Sequence, residues 1–585
     1  MWITAAAVLA GLAAFAAAAA VFLGGGLGAY DFGFYWQAAH LISIGHLNPV
    51  IGAIPGHTYL SDDLEFYMYP LALIYHVWSS PWLLIVTQAV AFAGVVALAL
   101  RYAVDRGLDG AWFWLATVLV VAYPPASDAV GGFHWDIFAG LFGLAMLLNL
   151  LRDRVVLAVL FGFLSLLVRE DAGLVVAAVS VFYLALAPGF GRAQKAALML
   201  GLAGIASSVL AMGWLMPLLS PGHFAVMQHT MFGNASGMVG KAKAILLSFL
   251  WPAKWLYLLQ LLLPLLVMPL LRPRLWPALA LALSVSWLSL DVNLFSGVFQ
   301  YPSAYLSVLY PATIEGLIVA RRWWRGRGLS IRRVPLLPAI MLVWFIGMLA
   351  YGNQLATVVF SAEQIGNSKT QALEQERRLV GNASLLTTAN DYVYVGNDRT
   401  TVIPTFVQGS ALPGFVRLLG SRYIELSNVS DASTATGGVI PYVRLAERAG
   451  YRLVVRRAGT TLLVRTSRYV RPRVVKWGHL SVDARPRLVV RRSGWTIYEV
   501  KLPHLATGWW QADLRLKGRG EVYLCSMDGS DGACDMTEYV AGAAARPVGL
   551  YVRPGQPNTV YLLEMSNTMS DVQVTNVSLV RLRVL

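Results

Sequence analysis

The sequence predicts a polytopic α-helical membrane protein with a large water-facing C-terminal region. The 585-residue chain is 57% hydrophobic and has a mean hydropathy of +0.59. Only 13% of its residues are charged, whereas globular proteins carry about 25%. Residues 353–585 nevertheless hold 28 of the 46 Lys and Arg and 18 of the 31 Asp and Glu. The first 352 residues are therefore predicted to lie mainly in the membrane, and the remainder in water.

Apolar segments in the first part of the chain approach the length of about 20 residues that crosses the hydrocarbon. We predict eleven spans at 2–23, 81–100, 111–124, 133–151, 154–168, 172–187, 195–219, 245–271, 275–290, 303–320 and 335–352. Three of them, at 111–124, 154–168 and 172–187, are short enough to be re-entrant or tilted segments. A re-entrant pair in place of two spans would leave the orientation of the other spans unchanged.

The distribution of Lys and Arg predicts the orientation of the spans. With the N-terminus inside, the inner loops contain 14 of the 18 Lys and Arg of the membrane region. The outer loops then hold Arg169, Lys241, Lys243 and Lys254. Residues 353–585 lie outside the cell (plasma) membrane in this topology. An alternative interpretation of the Ala-rich first span, a cleaved signal peptide, leaves the sidedness unchanged.

The C-terminal region is predicted to contain two units. Residues 353–466 begin with a polar helical stretch and continue with short apolar runs and paired strands, which is typical of an α/β unit. Residues 467–585 show only strand-like runs between turn residues, which favours a β-sandwich. Its Trp509 and Trp510 either stack on carbohydrate or lie in the core. Cys525 and Cys534 are candidates for a local disulfide if this region faces an oxidising compartment.

The C-terminal region has a formal charge of +10, from 28 bases and 18 acids. This excess indicates either a solvated cationic surface or attraction to anionic membrane lipids, phosphates or acidic glycans. Nucleic-acid binding is not expected, because the arginines of the inner loops follow from the orientation of the spans. No Gly-rich phosphate loop follows a strand, which disfavours a cytoplasmic nucleotide-sugar site.

The first outer loop, about residues 24–80, contains Asp31, Asp62, Asp63 and Glu65 and no Lys or Arg. Avoidance of positive charge in a translocated loop explains the missing bases. It does not explain an acid inside Y-D-F-G-F-Y-W-Q-A-A-H, an aromatic segment suited to the membrane interface. Acids at a membrane edge usually contact a polar partner, so this loop is the first candidate for a functional site.

The segment Y-D-F-G-F-Y-W-Q-A-A-H-L-I-S-I-G at 30–45, followed by L-E-F-Y-M-Y-P-L-A-L-I-Y at 64–75, resembles the first luminal loop of GT-C superfamily glycosyltransferases. F-H-W-D-I-F-A-G-L at 133–141 and L-V-R-E-D-A-G-L at 167–174 resemble a family of uncharacterised prokaryotic membrane proteins in that superfamily. The similarity continues through T-T-A-N-D-Y and ends near residue 466. One position departs from the family, because Asp62 to Glu65 stand where the family usually has a His.

This resemblance implies inverting transfer of a sugar from a polyprenyl-phosphate-linked donor to a glycan, lipid or protein acceptor on the outer face. Asp31 would be the general base. Asp62, Asp63 or Glu65 would bind a divalent cation, Mg²⁺ or Mn²⁺, or orient the acceptor. Arg169 would bind the donor phosphate, although an ion pair with Glu170 or Asp171 is an equal alternative.

The remaining candidate residues carry weaker signals. Lys241, Lys243 and Lys254 are further phosphate candidates, although interfacial lysines often only extend to water. His134 and Asp136 belong either to the site or to an interfacial anchor. Two rival functions are a lipid or solute transporter, which predicts charges near mid-membrane, and a non-catalytic scaffold, which predicts dispensable first-loop acids.

Overall fold

The computed structural model describes most of the membrane region and the strands of the C-terminal region. The described residues are 2–25, 32–49, 51, 58–123, 133–219, 237–289, 292–295, 301–327, 354–388, 391–396, 399–403, 415–416, 418–427, 440–482, 487–492, 495–501, 508–517, 522–525, 534–537, 546–552, 559–564 and 573–585. The last predicted span, 335–352, therefore lies outside the described residues.

The described part of the membrane domain is almost entirely helical. Four helical stretches of the described chain are long and apolar enough to cross a membrane, namely Trp2–Leu23, Trp82–Asp105, Arg192–Leu219 and Tyr301–Gly326. The helices are α1 (Trp2–Leu23), α2 (Phe34–Ser43), α3 (Tyr59–Asp62), α4 (Met68–Val77), α5 (Trp82–Asp105), α6 (Gly110–Val121), α7 (Asp136–Leu151), α8 (Val155–Leu166), α9 (Ala172–Leu186), α10 (Arg192–Leu210), α11 (Gly237–Ser248), α12 (Pro252–Leu262), α13 (Trp276–Ala282), α14 (Ser284–Leu288) and α15 (Leu306–Gly326).

The single span predicted at 245–271 is wrong, because the structure divides this segment. Helix α12 ends at Leu262, and short 3₁₀ turns follow before α13 begins at Trp276. Leu266 and Val267 have left-handed backbones, with φ of 54° and 59°. Prolines 264, 269, 273 and 277 explain the interruption, since each removes a helical N–H donor.

Small residues allow the central helices to approach closely. A Cβ atom on Gly173 of α9 would lie 2.1 Å from the backbone oxygen of Gly204 on α10, and one on Gly204 would lie 2.3 Å from the oxygen of Gly173. This backbone-to-backbone contact is the packing that membrane helices favour. It fixes the start of α9, and with it the turn that carries residues 167–171.

The C-terminal region begins with the predicted α/β unit. Its helices are α16 (Gln354–Glu363), α17 (Ser368–Val380), α18 (Tyr392–Val395) and α19 (Ile440–Arg448). Its strands are β1 (Leu385–Thr388), β2 (Thr400–Ile403), β3 (Tyr423–Ser427), β4 (Tyr451–Arg457) and β5 (Thr460–Arg465), in the order β2-β1-β3-β5-β4. Strand β1 pairs parallel to both β2 and β3, and the other pairs are antiparallel.

The rest of the chain forms two antiparallel sheets, in the orders β11-β10-β13-β8-β7 and β12-β9-β14-β6. The strands are β6 (Val474–Val482), β7 (Arg487–Arg492), β8 (Trp495–Lys501), β9 (Gly508–Lys517), β10 (Val522–Cys525), β11 (Cys534–Thr537), β12 (Arg546–Val552), β13 (Thr559–Glu564) and β14 (Gln573–Val584). Their packing as a sandwich stays a prediction. Cys525 and Cys534 are directly opposite on β10 and β11, a register whose Cα spacing suits the predicted disulfide.

The α/β unit contacts the membrane domain through α18. The ring of Tyr392 lies 5.2 Å from that of Trp36 on α2, and the ring of Tyr394 stacks on Phe22 of α1 at 5.7 Å. Helix α2 thus lies between this unit and the neighbouring helices of the membrane domain. The contact is aromatic on both sides, and such ring pairs add to the effect of buried area.

The α/β unit also buries carboxyl groups, and this predicts a pH-dependent stability. Glu376 is fully buried and accepts a hydrogen bond from the Thr460 hydroxyl at 2.6 Å. Burial is the main reason that the pKa of Glu376 is raised to about 7. The charge of Asp391 raises this pKa further, whereas the Thr460 hydrogen bond and the charge of Lys369 lower it. A carboxyl group whose pKa is higher in the folded than in the unfolded protein stabilises the fold at low pH. This stabilisation is complete below the pKa of the unfolded state and is lost as the pH rises through the pKa of the folded state.

We therefore expect the α/β unit to lose up to about 3 kcal/mol of stability between about pH 4.5 and pH 8. Thermal unfolding of the purified full-length protein at several pH values measures this loss. Glu376→Gln removes the titrating group, so its unfolding temperature should depend less on pH. Equal pH dependence of the variant and the wild type would contradict the assignment.

Candidate active site

Six charged side chains converge at one end of the membrane helices, and we call them the acidic cluster. They come from the loop before α4, the first residue of α7 and the turn between α8 and α9: Asp63, Glu65, Asp136, Arg169, Glu170 and Asp171. All except Asp63 are buried. Asp136 opens α7, where the positive end of the helix dipole favours an acid.

Arg169 is the centre of the cluster. Its guanidinium lies 3.0 Å from Asp136, 3.1 Å from Glu170 and 3.4 Å from Asp171. It also lies 5.1 Å from the centre of the Tyr301 ring, directly before α15. An arginine has five N–H donors in a fixed fork, which suits several carboxylates at once. Of the two sequence-based alternatives for Arg169, the structure shows the ion pair with Glu170 and Asp171.

Glu65 is held by two tyrosine hydroxyls. Tyr35 of α2 donates to one carboxylate oxygen at 3.0 Å, and Tyr59 of α3 donates to the other at 2.8 Å. Burial raises the pKa of Glu65 well above its usual range, and the charge of Asp63 adds to this rise. The Tyr59 bond and Arg169 oppose it only in part. Glu65 therefore holds a proton more readily than an exposed glutamate.

Backbone contacts join the first loop to the turn between α8 and α9. The Leu64 N–H donates to the Glu170 carboxylate at 3.1 Å, and the Phe66 N–H donates to the Leu167 carbonyl at 3.0 Å. Burial raises the pKa of Glu170, whereas Arg169 lowers it and Asp171 raises it further. Segments about 100 residues apart in the chain thus build one site.

The acidic cluster contains more negative than positive charge. Five acids surround one arginine, and a buried charge without a partner is costly. Carboxyl groups in such a setting share protons or attract a polar ligand. The arrangement suits proton transfer to or from a hydroxyl group, because carboxyl groups whose pKa is raised by burial lie side by side.

The two tyrosines that hold Glu65 give a direct test of this geometry. Tyr35→Phe and Tyr59→Phe each remove a hydroxyl from a buried carboxyl group, and we expect each to cost about 1–3 kcal/mol. Tyr67→Phe is the matched control, because the Tyr67 hydroxyl is buried and has no hydrogen-bond partner among the described residues. Thermal unfolding in detergent measures the difference. A loss in Tyr67→Phe as large as in the other two would contradict the assignment.

The other predicted site residues are distributed as follows. His134 is buried, with its backbone N–H 3.4 Å from the Gln88 side-chain oxygen and its ring edge-on to Tyr35. Asp31 lies outside the described residues, as do the side chains of Asp62, at the end of α3, and Lys241, on α11. Lys243 is exposed on α11.

The sequence analysis did not find Tyr35, Tyr59 and Tyr301 as site residues. It also gave Lys254 little weight, although this lysine is fully buried on α12. The Lys254 ammonium donates to Ser248 at 2.7 Å and to the Trp287 carbonyl, and the Phe295 ring lies 5.2 Å away. The aromatic residues around it in the sequence, W-P-A-K-W, were the one available signal.

The described acids do not fit a preformed metal site. No three His, Cys, Asp or Glu side chains in the described part of the chain are grouped so that they could bind a metal ion. Glu65, Asp136 and Glu170 are already bonded to tyrosine, arginine or backbone donors. The divalent cation therefore stays a prediction, and no step below depends on it.

The apolar helices and the buried charged cluster at one end of them define a multi-pass membrane protein with a polar site at the membrane edge. The chain belongs to the family described as "Predicted membrane protein (DUF2079)", whose model matches residues 26–404. The sequence-based resemblance to an uncharacterised membrane-protein family is thus confirmed. Comparison with curated proteins finds no match.

Several solved structures are similar to the chain at low sequence identity. ArnT from Cupriavidus metallidurans, bound to undecaprenyl phosphate, is 13% identical with a TM-score of 0.45, over 80% of this chain and 98% of that one. Arabinofuranosyltransferase AftD from Mycobacteria is 11% identical with a TM-score of 0.42. The alignment covers all of this chain but only 62% of AftD. Arabinosyltransferase EmbB from Mycobacterium smegmatis has a TM-score of 0.29 at 12% identity, over 98% of this chain and 64% of that one.

Proposed function

We propose that the protein is a membrane glycosyltransferase of the GT-C type. It would transfer a sugar from a polyprenyl-phosphate donor to a glycan, lipid or protein acceptor on the extracytoplasmic face. The buried acidic cluster carries this proposal, because it joins the first loop, where the GT-C resemblance lies, to the F-H-W-D and R-E-D segments. The family resemblance of those segments gives the reaction class.

In the proposed reaction, the oxygen of the acceptor hydroxyl attacks the anomeric carbon of the donor sugar, and Asp31 accepts the proton of that hydroxyl. The bond between that carbon and the phosphate oxygen breaks, and the electron pair leaves with the lipid phosphate. The configuration at the anomeric carbon is inverted by this single displacement. One of the first-loop acids Asp62, Asp63 and Glu65 orients the acceptor through a hydrogen bond or holds a divalent cation.

Arg169 has a supporting role in this proposal. Its guanidinium is engaged by three carboxylates, so little of its charge is left for a donor phosphate. We therefore propose that Arg169 positions the acidic cluster. The donor phosphate needs a cation nearby to stabilise its developing charge. In this proposal the outer-side lysines Lys241, Lys243 and Lys254 are the candidates that bind it.

The proposed function is tested by turnover in membranes that contain the wild-type protein. A panel of radiolabelled polyprenyl-phosphate sugars is supplied with total envelope acceptors, and membranes without the protein are the control. Transfer or donor hydrolysis above the control supports the enzyme and identifies its donor. Donor binding without any turnover would favour a lipid transporter, and neither binding nor turnover would favour a scaffold.

The same assay tests the predicted divalent cation. Chelation followed by addition of Mg²⁺ or Mn²⁺ should abolish and then restore transfer if a cation takes part. Transfer that persists in the chelator would remove the cation from the proposal. Glu65 already accepts two tyrosine hydroxyls, so Asp62 and Asp63 are the preferred candidates among the three first-loop acids proposed for such an ion.

A further inference from the structure

A second charged cluster lies at the opposite end of the membrane domain, and we call it the arginine cluster. It consists of Arg106, Arg272, Arg274, Arg322 and Glu315. Helix α7 begins in the acidic cluster at Asp136, and Arg152, directly after its last residue, pairs with Asp105 at the end of α5. Sixteen residues of helix separate these ends, which is a length of about 24 Å.

Glu315 of α15 forms the buried base of the arginine cluster. Its side chain is fully buried and accepts a hydrogen bond from the Tyr102 hydroxyl at 2.8 Å. Arg106 and Arg272 both form ion pairs with it. One carboxylate therefore faces two guanidinium groups, and the three residues together keep one positive charge.

A close backbone contact brings Arg272 to Glu315. A Cβ atom on Gly316 would lie 2.0 Å from the Met268 carbonyl oxygen, so only glycine admits the 3₁₀ turn Met268–Leu271 against α15. Arg272 follows this turn directly. The proline-broken segment thus places a guanidinium on a buried carboxylate of another helix.

Two further arginines enlarge the positive charge. Arg274 is exposed in the next 3₁₀ turn, Pro273–Leu275. Arg322 is exposed on α15, seven residues after Glu315 and therefore on the same helix face. Burial lowers the pKa of Arg272, and the charges of Arg106, Arg322 and Arg274 lower it further, which shows that these groups act on one another. Four arginines against one glutamate leave an excess of three positive charges.

The surroundings of the cluster indicate headgroup depth in the membrane. Trp276, which follows Arg274 by two residues, is 49% exposed, and Trp323, beside Arg322, is 52% exposed. Exposed indoles at helix ends are typical of the membrane–water interface. Leu270 and Leu271, directly before Arg272, are exposed apolar side chains. A phosphate with attached acyl chains would contact both kinds of surface.

We propose that the arginine cluster binds the phosphate of an anionic phospholipid. Arg274 and Arg322 are the direct ligands, and Arg272 contributes the donors that Glu315 does not occupy. The guanidinium fork matches phosphate oxygens, and the neighbouring leucines favour a lipid over a soluble anion. The general preference of inner loops for arginine explains the side of the membrane. It does not explain two guanidinium groups on one buried carboxylate.

The test uses the full-length protein in nanodiscs of phosphatidylcholine with or without phosphatidylglycerol. Native mass spectrometry of the released protein counts retained lipids. We expect the wild type to retain phosphatidylglycerol at least about tenfold more strongly than phosphatidylcholine. Each charge-assisted hydrogen bond from an arginine to the phosphate contributes a large part of the difference in binding free energy that this ratio of affinities requires. Arg274→Gln with Arg322→Gln should reduce this preference to near unity.

The control variant is Arg154→Gln with Arg192→Gln, which changes the net charge equally at two other exposed positions. It should retain the wild-type preference. Equal retention of the two lipids by the wild type would overturn the proposal, and so would an unchanged preference in the Arg274 and Arg322 variant. Inorganic phosphate that displaces the lipid at millimolar concentration would show a soluble-anion site instead. These outcomes are independent of sugar transfer.

Discussion

Replacing Arg169 by Met is expected to destabilise the protein by about 3–5 kcal/mol, the usual cost of leaving buried charges without their partner. The substitution leaves Asp136, Glu170 and Asp171 with their carboxylates together and without the guanidinium that lies 3.0–3.4 Å from them. Thermal unfolding of the purified protein in detergent measures the effect. Partial rescue at low pH is also expected, because burial raises the pKa of Glu170 and protonation removes charge.

Arg101→Met is the matched control for this experiment. Arg101 pairs with Asp105 at 2.9 Å, but its side chain is 53% exposed, so its loss should cost less than about 1 kcal/mol. Equal unfolding temperatures for Arg169→Met and the wild type would contradict the central role of Arg169. Arg169→Lys separates the two interpretations of the residue. A variant that is stable but does not bind the donor would restore the phosphate role.

The residues that converge on Arg169 show how far the sequence could predict the site. The motifs F-H-W-D and R-E-D marked Asp136, Glu170 and Asp171 as candidates through their resemblance to the family. The sequence offered Glu170 or Asp171 as a partner of Arg169, but it did not reveal that Asp136 shares the same arginine. Arg169 and Asp136 are 33 residues apart in the chain. Only the packing of α7 against the α8–α9 turn brings them together.

Glu65 shows the same limit more clearly. Its position in a base-free loop marked it as one of three candidates for the second acidic position, and nothing local distinguished it from Asp62 or Asp63. Tyr35 and Tyr59, its hydroxyl partners, were indistinguishable from the other interfacial aromatic residues of the loop. Only the fold of α2 and α3 against this loop selects them.

The membrane helices were predicted best where a long apolar run is free of proline. The segment 2–23 matches α1, and the segment 81–100 lies within α5 apart from its first residue, because continuous apolar residues leave no alternative to a helix in lipid. The segment 245–271 is equally apolar. Its apolar composition predicted a single span, although Pro264 and Pro269 lie inside it. These prolines stop the helix and create the turn that carries Arg272 to Glu315.

Asp31→Asn is expected to lower sugar transfer about 10²–10⁴-fold, the usual contribution of a general base. Asparagine keeps the shape of the side chain but cannot accept the proton of the acceptor hydroxyl. Donor binding should be unchanged, because the base acts only in the chemical step. Single-turnover transfer and equilibrium donor binding, measured on equally accumulated protein, separate the two quantities. Asp153→Asn, an exposed acid at the opposite end of α7, should behave as wild type.

Glu65→Gln is the variant that tests the assignment of the base against its nearest rival. Both carboxylate oxygens of Glu65 already accept tyrosine hydroxyls, and burial raises its pKa well above the usual range. With both oxygens engaged by tyrosine hydroxyls, Glu65 is less able than a free carboxylate to take the proton of the acceptor hydroxyl. We therefore expect Glu65→Gln to lose less transfer than Asp31→Asn. If Glu65→Gln loses turnover while Asp31→Asn folds and retains it, then Glu65 is the base, and its proton affinity sets the pH at which the reaction begins.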